Sequence, residues 1–272
     1  MGGWRRPAFR GVSWGVVACL AVGTAAGSLG CQPRQPETLR LGYEALNNRD
    51  FDRALQLADE EIRRSPTGPD AAGAYYLRGR ALEQRAATTP EESARRWAMA
   101  RAAYTQALAL DPSPKLRAYI RASLGNVAFF QDDYATAAEM FRMAYGELDN
   151  DDSRAWALYR AGLSYQRLGR FDDADRFFTE VMRRYPGTLQ ARRAEENRGA
   201  RAFYVRLATF HDAPRVEAAA AELRRQGFTG ISTIRDSRGL FILRIGPYAT
   251  YANARDARLQ VQSRFPDALI MP

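Results

Sequence analysis

Few residues of this 272-residue chain have the type and spacing to do chemistry. His211 is the only histidine, and it stands beside Asp212. Such a pair can move a proton, but nucleophilic catalysis also needs a Ser or Cys motif, and none stands out. Acid pairs occur at Asp132-Asp133, Asp172-Asp173, Glu91-Glu92 and Glu195-Glu196. Paired acids cleave glycosides only across a cleft. In inter-helix turns and on helix starts or faces these pairs read as caps and solvated charges. Asp149 to Asp152 (DNDD) lacks the spaced ligands of a calcium loop, and no glycine-rich phosphate cradle is present. The residue types therefore point to no enzyme, no metal site and no cofactor. What remains is arginine. Residues 201–272 hold 11 Arg against 6 acids, whereas residues 31–200 are nearly balanced, with 26 basic and 25 acidic residues. A basic tail suits an anionic or polar polymer. Arginine-rich usage in the source genome is an equal explanation, since Lys115 is the only lysine. The arginine that raises the sharpest question is Arg206, set in the alternating stretch FYVRLATF, Phe203 to Phe210.

The N-terminus reads as a targeting segment. Arg5, Arg6 and Arg10 form a positive region, and an uncharged, weakly apolar stretch runs from Gly11 to Gly30. Cys31 and the polar segment QPRQP follow. Ser28 to Cys31 (SLGC) resembles the bacterial lipobox with its first two positions transposed. That resemblance implies a signal peptide over 1–30, lipidation of Cys31 and a short tether over 31–36. An uncleaved anchor from Gly11 to Gly30 is the competing reading, although Gly, Ala and Ser dilute its apolarity. VVAC, ending at Cys19, leaves too few apolar residues before it. Cys19 and Cys31 are the only cysteines, so residues 32–272 contain no disulfide, thiolate metal site or Cys nucleophile.

The elements that must position any site begin with an internal repeat. A Gly on one helix is followed by an Ala on a second, with an aromatic residue three places before that Ala, a bulky residue at +4 and often a small one at +7. The glycines are Gly42, Gly79, Gly125 and Gly162, and the alanines are Ala54, Ala100, Ala137 and Ala174. Positions 0, +4 and +7 share a helix face, and Gly and Ala let two antiparallel helices approach closely. Pro66, Pro112 and Pro186 stop the second helix of their repeats. This pattern resembles the tetratricopeptide repeat, most closely over Tyr159 to Pro186. Repeat two carries nine extra residues between Gly79 and Ala100. Thr89, Pro90 and Glu92 within it form a helix start, so the insertion is expected to lengthen the second helix by about two turns. Glu61 stands at the +7 position of repeat one, where a small residue is usual. A final helix after Pro186 closes the solenoid over 37–198. Such a solenoid offers a groove for a protein or peptide partner, against the plainer role of spacer.

From residue 200 the pattern becomes strand, helix, strand, strand, helix, strand, a βαββαβ order of split-βαβ, ferredoxin-like type. The chain thus reads as two domains, an α-helical solenoid and a smaller α/β unit. No Gly/Ser/Pro-rich linker separates them, which predicts a semi-fixed relation. YVRLATF, AAAAELRRQGF and FILRIGPYATYANARDA make residues 200–272 similar to the SPOR domain, a septal peptidoglycan-binding module. The resemblance implies binding to glycan strands stripped of their peptides. Gly246, Pro247 and Tyr248 keep the family pattern; Arg206 replaces its Gln, Ala208-Thr209 its Gly-Ser, and Ile242 its first third-strand Arg.

Alternation separates the faces of the sheet. Val205, Leu207, Leu243 and Ile245 belong under the helices, leaving Tyr204, Arg206, Ile242 and Arg244 for the open face. Aromatic area and fixed donors there suit a sugar polymer. The alternative is a solvated basic face with no ligand. Together these readings describe a non-catalytic, periplasmic, membrane-anchored scaffold lipoprotein, with the outer membrane favoured. It would bind peptidoglycan glycan through its tail and a protein through its repeats, in cell-wall organisation or division. An outer-membrane protein assembly factor is a second reading. RNA binding is a third, because the βαββαβ order is shared with RNA-recognition domains. Neither central strand carries their aromatic signature, and the leader exports the chain, so no nucleic-acid partner is expected.

Overall fold

The structure is a computed structural model and describes residues 36–236 and 238–272. The leader and Cys31 lie outside the described residues. Among those described, helices pair in sequence: α1 (Glu37–Asn47) with α2 (Phe51–Arg64), α3 (Ala71–Gln84) with α4 (Pro90–Ala109), α5 (Pro114–Phe130) with α6 (Tyr134–Glu147), and α7 (Asp151–Arg167) with α8 (Phe171–Arg184). The short α9 (Leu189–Asn197) packs on α8 and α7 and ends the array.

One steric rule explains the repeat. In repeats three and four the Gly on the first helix faces the ring at Ala+4 on the second. A Cβ built on Gly125 meets the Phe141 ring at 3.0 Å, and one on Gly162 meets the Phe178 ring at 2.7 and 2.9 Å. Gly79 faces the Tyr104 ring in the same way despite the insertion. Tyr104, Phe141 and Phe178 are fully buried. Each ring therefore fills the space that the missing side chain leaves, and the helices close around it. Repeat one has Ala58 at +4, and its Gly42 instead receives Leu77 from α3. The +7 Glu61 of that repeat is buried and paired with Arg64 one turn on.

Helix α4 has 20 residues where α2, α6 and α8 have 14, which matches the lengthening expected from the insertion. Pro90 is at its start, and the Thr89 side chain accepts the Glu92 amide at 3.1 Å. Glu92 reaches back one residue further than a standard capping box, accepting the Thr88 amide at 2.7 Å and its hydroxyl at 2.8 Å.

The C-terminal unit contains β1 (Phe203–Phe210), α10 (Ala213–Arg225), β2 (Ile231–Arg235), β3 (Phe241–Tyr248), α11 (Tyr251–Val261) and β4 (Leu269–Met271). Its sheet is antiparallel with order β2-β3-β1-β4, the split-βαβ arrangement that the element order predicted. Val205, Leu207, Leu243 and Ile245 form the core with Val216, Ala220 and Leu223 of α10 and Ala254, Ala257 and Val261 of α11. Asp212 and Thr250 cap α10 and α11. Asp212 therefore serves the helix start next to His211 and is not poised as a proton-relay partner.

The solenoid and the sheet unit are packed together. Phe171 of α8 joins the core of the sheet unit, its ring 5.5 Å from that of Phe203. Tyr251 sits edge-on to Tyr134 at 6.0 Å and to Phe203 at 5.8 Å, and the Arg167 guanidinium lies 3.2 Å over its ring. Arg255 pairs with Asp132. Gly169, at φ +77°, lies so close to the Ala249 carbonyl that a Cβ there would strike it.

Candidate functional site

The open face of the sheet is built by alternation. Along β1 the side chains run buried, half-buried, buried, half-buried from Phe203 to Arg206, so Tyr204 and Arg206 stand opposite the core. On β3, Arg244 falls between the buried Leu243 and Ile245 and takes the same face. Arg206 and Arg244 are direct register partners across β1 and β3. On the outer strands, Ser232 pairs with Arg244, and Leu269 with Arg206.

Arg244 is held firmly. Its Nε donates to Ser232 Oγ at 3.1 Å, and its guanidinium lies 3.6 Å from the centre of the Tyr204 ring. The Tyr204 ring in turn lies against Gly246, where a Cβ would meet its Cδ1 at 2.8 Å. Gly246 belongs to a bulge of β3, since the single residue Tyr204 between Phe203 and Val205 is matched by two of β3, Gly246 and Pro247. Glycine is needed there twice over, for a φ of +138° and for the room taken by Tyr204. Arg206, by contrast, has no hydrogen-bond or ion-pair partner among the described residues.

Three of the four expected residues thus come together on an accessible face. Ile242 is not accessible as expected. It falls on the same side by alternation but is only 8% exposed. Ile242 lies on an inner strand, in register with Ile234 of β2 and Thr209 of β1, and these flanking strands shield it. It forms the floor of the face and offers little surface to a ligand. The stacked Arg244 also means that Tyr204 presents less bare ring than an isolated tyrosine. Ser232 and the β4 residues Leu269 and Met271 complete the face and were not singled out in the sequence; period-two counting along β2 and β4 would have found them.

The repeats supply a second surface. A polar ladder crosses three successive first helices. Glu83 of α3 accepts Tyr104 OH at 2.5 Å and Asn126 Nδ2 of α5, and Asn126 Oδ1 accepts Arg160 Nη2 of α7 at 2.8 Å. Arg160 lies 3.8 Å from the Phe129 ring centre, and burial pushes its pKa down to about 10, which leaves it charged at neutral pH. Beside the ladder, Phe130 is 47% exposed and stacks on Trp97 of the lengthened α4 at 4.9 Å. Of the rungs of the ladder, only Asn126 directly follows a repeat glycine. No group of His, Cys, Asp or Glu able to hold a metal occurs among the described residues.

Comparison with known proteins agrees with this division. Residues 39–88, 91–153 and 156–188 match tetratricopeptide repeat families, and residues 199–272 match the SPOR domain. Among solved structures, MamA is 18% identical over 59% of this chain and 76% of its own, with a TM-score of 0.46. TTC0263, a thermophilic TPR protein of Thermus thermophilus, is 19% identical over 61% and 82%, with a TM-score of 0.47. YrrB, described as a TPR protein with an unusual peptide-binding site, is 18% identical over 60% and 78%, with a TM-score of 0.46. No curated protein matches the sequence. A SPOR domain implies peptidoglycan binding and a cell-envelope location, and the repeats imply protein partners. Both modules are binding domains without catalytic machinery of their own. The chain is a tetratricopeptide-repeat protein with a C-terminal SPOR domain.

Proposed function

We propose that this protein is a non-catalytic scaffold of the cell envelope, anchored in the periplasm by lipid on Cys31, with the outer membrane favoured. Its sheet face grips peptidoglycan glycan strands through Tyr204, Arg206 and Arg244, and its repeats recruit a protein to the wall during cell-wall organisation or division. The observation that carries the glycan reading is the face itself. Both helices cover one side of the sheet, and the other side holds two arginines and a tyrosine, with no covering element among the described residues. Guanidinium donors and an aromatic edge suit hydroxyl-rich rings. No helix among the described residues is long and apolar enough to cross a membrane.

The test is retention of the chain on purified sacculi. Residues 36–272 should be used whole, because Phe171 of the solenoid completes the core of the sheet unit. Retention at moderate salt is expected, and Arg206→Ala with Arg244→Ala should weaken it by at least tenfold, on the order of two charge-assisted hydrogen bonds. Absence of retention by the unaltered chain would sink the glycan reading. A division role predicts that a tagged copy gathers at septa of dividing cells, and uniform peripheral fluorescence refutes it.

A further inference from the structure

The first helices of the repeats hold positive charge that the fold leaves unmatched. Arg160 and Arg167 stand about two turns apart on α7 and share a face of it. Both guanidinium groups lie over the ring of Phe129 of α5, at 3.8 and 5.5 Å from its centre. Neither pairs with a carboxylate among the described residues. Arg160 Nη2 donates to Asn126 Oδ1 at 2.8 Å, and that is its one hydrogen bond there. Its Nε is sealed from solvent without a partner, and its Nη1 has none either. Arg167 rests on the Tyr251 ring and makes no hydrogen bond among the described residues. The carboxylate next along the ladder, Glu83, is already engaged by Tyr104, Asn126 and Arg80. Stacking on rings eases the burial of a cation but fills none of its donors, and donors left empty in a shielded place are costly. An apolar shelf adjoins this charge. Exposed Phe130 stacks on Trp97 at 4.9 Å, and its ring centre is 5.5 Å from the Arg160 guanidinium.

We infer that the repeats take up their partner by an acidic side chain seated on Arg160, in the positive field of Arg167, while an apolar side chain beside it covers Phe130 and Trp97; this rests on the recruitment reading above. A peptide segment with Asp or Glu next to an aromatic or aliphatic residue supplies both groups within one reach. The carboxylate accepts from a guanidinium that has donors to spare, and a charge-assisted bond in a shielded site is the strong kind. The ladder runs on from Arg160 to Asn126 and Glu83 on one side, and Arg167 leads to Tyr251 on the other. An occupant therefore continues in both directions past the cation and reaches it with a side chain, not with a chain end.

The test selects binders of residues 36–272 from a phage-displayed library of random dodecapeptides. Enrichment of Asp or Glu beside an aromatic or aliphatic residue is expected. The most enriched peptide is then synthesised with its acid intact or as the matching amide, and with its C-terminus free or amidated, and each form is titrated by fluorescence anisotropy. The acid form is expected to bind at least about tenfold tighter than the amide form, with an advantage that shrinks as salt rises, and C-terminal amidation should leave affinity within about twofold. Arg160→Gln is expected to erase the preference for the acid. Phe130→Gln alters an exposed side chain and should weaken both forms about equally, by roughly tenfold, so it keeps the test open if Arg160→Gln does not fold. Equal binding of acid and amide forms overturns the inference and leaves the recruitment reading standing. So does binding that Phe130→Gln leaves unmoved, which places the peptide elsewhere, or binding lost only on C-terminal amidation, which places a chain end on the cation. If no peptide is selected, the inference and the recruitment reading both fall.

Discussion

Replacing Gly162 by Ala tests whether the repeat glycines are there to admit a ring. Gly in a helix interior is worse than Ala by about 1 kcal/mol, so propensity alone predicts stabilisation. The structure predicts the opposite sign. The new Cβ would lie 2.7 and 2.9 Å from the Phe178 ring and 3.2 Å from Phe177 Cβ, all closer than ordinary van der Waals contact. Phe178 is fully buried and cannot swing away into solvent. Overpacking of such a site costs about 1–3 kcal/mol, and the ring and its own helix must both give. After the propensity gain is subtracted, the net expectation is a loss of up to about 2 kcal/mol, at roughly 2–4 °C of Tm per kcal/mol for a chain of this size. Gly146→Ala is the internal control. Gly146 lies in α6, and a Cβ added there would have nothing within 4 Å, so propensity alone acts and the chain should gain about 0.5–1 kcal/mol. The assay is urea unfolding of residues 36–272, read by circular dichroism. A Phe178→Leu background completes the cycle: removing the ring should turn Gly162→Ala neutral or stabilising. If Gly162→Ala stabilises the unaltered chain as much as Gly146→Ala does, the ring-in-gap account of the repeat is wrong.

Three further outcomes are expected. Arg167→Ala removes the cation stacked on Tyr251 and should cost about 1–2 kcal/mol, with hydrogen exchange rising in residues 249–255 and unchanged in α1 to α3; unchanged exchange there would show that the contact holds nothing. The amide and hydroxyl of Thr88 hold the Glu92 carboxyl below its ordinary range. A lowered carboxylate pKa contributes stability above the unfolded value of about 4.3 that is lost as pH falls through the lower folded value. The start of α4 should therefore lose amide protection at Thr88 below about pH 4, and Glu92→Gln should remove that pH dependence; a pH-independent Thr88 amide contradicts it. Finally, labelling with a fatty-acid analogue should mark the chain in cells and fail for Cys31→Ser, while label on the Cys31→Ser chain would refute lipidation at that residue.

Much of the fold was legible because its rules are local. Gly, an aromatic residue and Ala recur at spacings that a helix pair converts directly into one close contact, and Gly79 keeps that contact with Tyr104 across the nine-residue insertion. Alternation likewise placed Tyr204, Arg206 and Arg244 opposite the core. What escaped was set by tertiary neighbours. Ile242 obeyed the alternation, but strands on both sides bury it, and strand order is not a property of its own segment. Tyr251 opens a helix, but its partners Arg167 and Tyr134 lie 84 and 117 positions earlier in the chain. The Glu83, Asn126 and Arg160 ladder is a similar case, because each rung comes from a different repeat and none is meaningful alone.

The stretch from Gly246 to Tyr251 touches both ends of the molecule's proposed work. At one end it lies beneath Tyr204; at the other, Ala249 meets Gly169 and Tyr251 lies under Arg167. Mechanical load taken up at the sheet face therefore crosses only five peptide bonds before it enters the turns of the solenoid. Under the proposed function, a wall strand held at Tyr204 and a protein seated among the repeats would be joined through this short stretch, so the bearing of the one would bias the direction from which the other is presented.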